Sequence, residues 1–239
     1  MLDQEKLIEQ VAAYKKDSRK RFFDAVSALL ALAWPYRGME FVFDETFPLY
    51  ADALDICRRL SDQCAADARE RLAAAIESLQ WDGDAWAEAY GEEEEASLDM
   101  AGSHLLELLG VWIVVAFVNG WTQSYTRVMM SRYLNNPFLC PEWRNIPLDA
   151  LAWGKGYARD VAEQIAVIGQ GIIISGARYA EQQSEKEAGA VYYIRHRNSG
   201  YDCDDCDALC GFPIPIDVPF VIEHPRCVCY AEYFYEPMP

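Results

Sequence analysis

Five of the eight cysteines and two of the three histidines of this chain fall between Val191 and Tyr235. Cys203 and Cys206 form a Cys-x2-Cys pair, and about twenty residues on, His224, Cys227 and Cys229 form a His-x2-Cys-x-Cys cluster. Two short clusters of soft donors separated by a loop suit a tetrahedral zinc site, because a Cys-x2-Cys turn aims two sulfurs at one ion and a second knuckle or strand end closes the tetrahedron. If the chain from Cys227 to Tyr235 is a strand, Cys227 and Cys229 point to one face, so one donor of the second cluster is surplus. The expected ligands are therefore Cys203, Cys206, His224 and Cys227, with Cys229 and Cys210 as substitutes.

Two other fates stand beside metal binding. The cysteines can pair as disulfides, as in small secreted domains, or sit as inert buried thiols. The odd number in this segment and the Cys-x2-Cys spacing favour metal. So does the start of the sequence, where Leu2 to Lys16 is charged and amphipathic, without the cationic start and apolar run of a secretory signal; a reducing compartment is expected.

The run Cys203-x2-Cys206-x2-Leu209-x-Gly211, a proline-rich loop, and then His224-Pro225-x-Cys227-x-Cys229 resembles the C-terminal signature of the phage head-morphogenesis family, the Mu F-like minor capsid proteins. The likeness covers about the last fifty residues. Val228 stands where that family usually carries arginine, and Ser199 and Tyr201 stand where it has an Asp-x-Arg pair. The resemblance implies a non-enzymatic protein of a tailed phage that joins portal or capsid during head assembly and affects DNA packaging or ejection. It places the chain in the virion, and in the host cytoplasm during assembly.

Composition narrows the alternatives. A formal charge of −17 argues against a surface that holds nucleic acid through its phosphates, so protein partners are expected and direct nucleic-acid binding is not. The charge-free run between Glu107 and Asn119 is too short to cross a bilayer, which takes about twenty residues, so no membrane association is expected. The competing class is a zinc-dependent hydrolase or deaminase-like enzyme. A deaminase wants His-x-Glu and Pro-Cys-x2-Cys; neither His104 nor His196 is followed by that glutamate, and no proline precedes Cys203. His196 lies near the cysteines, as a Cys–His nucleophile would require, without any supporting motif. The run Glu92 to Glu95 is too hydrophilic to perturb a carboxyl group for acid–base work. A third class is a bacterial interaction module that shares the C-terminal domain.

Hydrophobic residues make up 52% of the 239 residues, enough for a sizeable core. Apolar residues recur at helical spacing in Leu2–Trp34, Pro48–Leu79, His104–Tyr133 and Leu148–Ala188. Cys57 and Cys64 fall on the apolar stripe of the second stretch and read as core. The fourth is rich in glycine, so either it breaks near Gly169-Gln170-Gly171 or another backbone packs closely there. After Gly189 the period becomes alternating, with strands expected at Val191–Arg197, Phe220–Glu223 and Cys229–Tyr235 and a stiff loop at Phe212–Pro219. The expected fold is α+β and mostly α: a multi-helix body over 1–188 and a small β module over 189–239 that zinc stabilises.

Overall fold

The computed structural model describes residues 2–36, 48–79, 116, 119–128, 148–198, 204–220 and 228–238, with backbone alone at 148–164 and 205. It is mostly helical, with one small antiparallel sheet near the C-terminus. The long helices are α1 (Gln4–Ala33), α2 (Tyr50–Ile76) and α3 (Leu148–Glu187). Asp3 starts α1, its carboxylate accepting from the Lys6 N–H at 3.1 Å as an N-cap does. A single 3-10 turn ends each of the first two helices, Trp34–Tyr36 at Pro35 and Glu77–Leu79. The stretch expected to be helical over His104–Tyr133 is described only at 116 and 119–128. There it turns at Gly120 (φ +64°) and restarts over 123–128, where the Thr122 hydroxyl accepts from the Tyr125 N–H.

Contacts divide the chain into two compact units, the first made of Met1–Lys15, Ala66–Glu94 and Val167–Pro239 and the second of Lys16–Ala65 and Glu95–Ala166. In the first unit α1 and α3 lie side by side. Gln4 accepts from Arg178 at 2.7 Å, and the Leu2 N–H donates to Glu181 at 3.2 Å. The Gly169-Gln170-Gly171 run neither breaks α3 nor meets another backbone: it lies within the helix, and a Cβ on Gly169 would come 1.9 Å from Cζ of the buried Tyr14 ring. The absent side chain makes room for an aromatic one. Gly176 does the same for Leu72 of α2. In the second unit the Arg127 guanidinium lies 5.6 Å above the Phe23 ring, a cation–π contact.

α3 stops in a Schellman motif. Gly189 takes φ +98°, its N–H bonds the Lys186 carbonyl at 3.0 Å, and the Ala190 N–H bonds the Glu185 carbonyl at 2.9 Å. The chain leaves that turn into β1 (Tyr192–His196), the middle strand of the order β2-β1-β3, with β2 at Pro213–Pro215 and β3 at Tyr230–Phe234. β2 lies inside the proline-rich stretch read from sequence as a loop. Its two prolines have no N–H to donate, which suits an edge strand. The strand expected over Phe220–Glu223 does not begin at Phe220, whose N–H goes to the Gln182 side chain at 2.9 Å; Val221–Glu223 lie outside the described residues.

Candidate metal centre

Strand alternation sends Tyr193 and Arg195 to one face of β1 and Tyr192, Ile194 and His196 to the other. On the second face the cross-strand pairs stack: Tyr192 on Phe234 at 4.9 Å and His196 on Tyr230 at 5.2 Å. His196 Nε2 also lies 2.9 Å from a Glu232 carboxylate oxygen. That histidine is thus held by β3.

The first face closes a core of Ala190, Tyr193, Cys206, Ile216, Phe220 and Cys229. Cys206 arrives on a short helix, α4 (Asp204–Leu209), where sequence spacing alone suggested an open turn. Gly211, at φ +82°, turns the chain after α4, and its N–H donates to the Arg195 carbonyl at 3.0 Å. Cys210 is held in that turn, partly exposed, with its thiol hydrogen-bonded to that of Cys229. Burial raises the pKa of Cys210, the neighbouring Cys229 raises it further, and the Arg195 charge opposes both.

Gln182, near the end of α3, fixes the segment that covers this core. Its amide donates to the carbonyls of Ile216 and Val218, each at 2.7 Å, and accepts from the Phe220 N–H at 2.9 Å. Ile216 and Phe220 are the core residues packed with the two buried thiols. Nothing in the sequence around Gln182 marks it for this role. Arg195 did carry a signal. It alternates with Tyr193 on the face of β1 that must be buried, and it is 3% exposed.

Of the expected ligands Cys203, Cys206, His224 and Cys227, only Cys206 is among the described residues, together with both substitutes, Cys229 and Cys210. The fold brings Cys206 and Cys229, one from each half of the signature, into one buried cluster, and sets Cys210 against Cys229. All three are thiols rather than halves of a disulfide. Among the described residues no three His, Cys, Asp or Glu side chains are grouped so as to hold an ion. The donor chemistry at Cys206, Cys210 and Cys229 nevertheless fits a soft divalent metal, since thiolates select zinc over magnesium or calcium. Among the described residues no helix is long and apolar enough to cross a membrane. Comparison with protein-family models, curated proteins and solved structures finds no match for the chain.

Proposed function

We propose that this chain is a structural minor capsid or head-morphogenesis protein of a tailed phage, whose C-terminal module is stabilised by zinc and whose partners are portal or capsid proteins. The observation that carries the reading is the packing of Cys206 and Cys229, one from each half of the signature, in one buried core. The order Cys203-x2-Cys206-x2-Leu209-x-Gly211 and then His224-Pro225-x-Cys227-x-Cys229 supports it on the side of sequence. In this role zinc supplies folding free energy rather than chemistry. A three-stranded sheet has little core of its own, and a structural zinc contributes of order ten kcal/mol in small modules. Cys203, Cys206, His224 and Cys227, or Cys229 and Cys210 in place of two of them, would hold the ion. The acidic surface suits a partner with basic patches.

Two measurements test the reading. Native mass spectrometry of the full chain, before and after strong chelation, should give one zinc per chain whose removal loosens the C-terminal segment; a metal-free mass removes the zinc. Co-expression with the portal and major capsid proteins of the same phage should give a complex on size-exclusion chromatography. Elution apart from both removes the assembly role.

A further inference from the structure

α1 and α3 run antiparallel in the first unit: Gln4 meets Arg178 at one end of their contact, and Tyr14 lies against Gly169 at the other. Between them is a cleft of about 430 Å³, a size usual for ligand sites. Gln4, Ile8 and Val11 line it from one ridge of α1, and Gln170, Ile174 and Arg178, spaced four apart, line it from one ridge of α3. Ile8 is 56% exposed, and among the described side chains of the three long helices no other large hydrophobic one is exposed.

Two polar atoms of the lining side chains lack a hydrogen bond. Gln170 and Arg178 are each 2% exposed, and neither Gln170 Oε1 nor Arg178 Nε has a partner among the described residues. The charge of Arg178 is already answered: Nη1 donates to Glu181 at 3.0 Å and Nη2 to Gln4 at 2.7 Å, which leaves only the Nε–H open. Buried polar groups are normally paired, so an acceptor and a donor left open on one wall point to a missing complement. The two residues stand eight apart on α3, about 12 Å along its axis, with Ile174 between them. The complement must therefore offer a donor at one end, an acceptor at the other and an apolar group between. An aliphatic chain with one polar head satisfies one end only. An extended peptide of about four residues satisfies both, since each peptide unit carries an N–H and a C=O and the chain rises about 3.3 Å per residue.

We infer that the cleft between α1 and α3 binds a short, extended, apolar segment of a partner protein. A backbone N–H of that segment donates to Gln170 Oε1, a carbonyl further along accepts from Arg178 Nε, and an apolar side chain seats against Ile8, Val11 and Ile174. The inference rests on neither the zinc site nor the phage assignment.

Peptides selected from a random display library on the full-length protein test it, with binding read by fluorescence polarisation against wild type, Ile8→Glu and Gln170→Met. Ile8→Glu places a charge on an exposed lip, where a surface substitution costs the fold little, and should weaken the selected peptides more than about tenfold. Gln170→Met keeps the volume, loses the acceptor and should weaken them about 5- to 10-fold. One backbone amide of the peptide should be the partner of Gln170: its N-methylation should cost wild type as much as Gln170→Met does, and cost the Gln170→Met protein nothing further. Selection that yields no binder, binders indifferent to Ile8→Glu, or N-methyl and Gln170→Met losses that simply add would each overturn the inference. Dodecanoate that binds wild type and is weakened by Ile8→Glu, where no peptide is, would overturn it in favour of an aliphatic ligand.

Discussion

Among the described residues cysteine appears in two settings, on α2 and in the C-terminal module. Cys57 and Cys64 lie seven residues apart on the apolar stripe of α2, 3% and 0% exposed. Burial pushes the Cys57 thiol up to about 12, so it stays protonated and packs as a small hydrophobe. In the module, Cys206 and Cys229 are as deeply buried, at 0% and 1%, but Cys210 stands against Cys229 and a buried arginine stands over their shared core. Depth of burial does not separate the two settings. What separates them is the company they keep: in the module a second thiol lies against Cys229 and an arginine lies over the ring of Phe220.

The sharpest way to break that comparison is to remove one thiol from each setting. On the zinc reading proposed above, Cys206→Ala should release the metal and with it the folding free energy of the module, of order ten kcal/mol, seen as loss of zinc by native mass spectrometry and loss of hydrogen-exchange protection in β1 and β3. Cys57→Ala should cost about 1–2 kcal/mol in packing and leave the metal count unchanged. Equal and small effects at both positions would mean that the module's cysteines are core residues like those of α2.

The next effect in size belongs to the junction between α3 and the module. Gln182→Ala removes three hydrogen bonds at 2.7, 2.7 and 2.9 Å and strands two carbonyls and an N–H. At about 1 kcal/mol net for each bond, the loss is about 3 kcal/mol in thermal or denaturant unfolding. Gln182→Glu should recover little of it, because a carboxylate accepts from Phe220 but donates to neither carbonyl.

How much of this was legible in the sequence follows from which interactions are local. The apolar stripes of α1, α2 and α3 repeat within each helix, so their extents came out within a few residues of the observed ones. β1 and β3 were visible for the same reason, as alternation within one segment. β2 was not, because two prolines in three residues disguise a strand that exists only through its pairing with β1. α4 was hidden behind the Cys-x2-Cys pattern, which fixes donor spacing without fixing whether the backbone between donors is a turn or a helix. In the candidate site, the meeting of Cys206 with Cys229 could be anticipated from the signature, whereas Gln182 could not, since its partners lie 34 to 38 residues away.

Gly169 sharpens the comparison on the helical side, where volume decides. Gly169→Ala would gain about 1 kcal/mol in helix propensity, but its Cβ would sit 1.9 Å from the ring of Tyr14, which is 0% exposed. Overpacking of this kind costs about 1–3 kcal/mol, so a net loss of about 1–2 kcal/mol is expected in chemical denaturation. Tyr14→Ala in the same chain should make the Gly169→Ala step favourable. An additive double mutant would show that the ring is not what the glycine accommodates.

The smallest effect separates two ion pairs of the first unit. Lys6 and Glu77 meet at 2.8 Å in the open, and the lysine's hydrogen bond holds the Glu77 carboxyl below its ordinary pKa. Arg178 and Glu181 meet at 3.0 Å, but both are buried, and there desolvation outweighs the arginine, so that the Glu181 carboxyl titrates above its ordinary value. The signs of the two contributions are opposite. For Glu181 the folded state holds its proton more tightly than the unfolded one, so its contribution is fully present below the ordinary carboxylate pKa and is lost as pH rises through the raised value. For Glu77 the contribution is present above the ordinary value and is lost on acidification. Thermal unfolding from pH 7 down to pH 4 should therefore show wild type gaining on Glu181→Gln and losing ground to Glu77→Gln. If wild type lost ground to Glu181→Gln as well, Arg178 would be winning against burial, and the Glu181 carboxylate would be stabilised by its partner as Glu77 is.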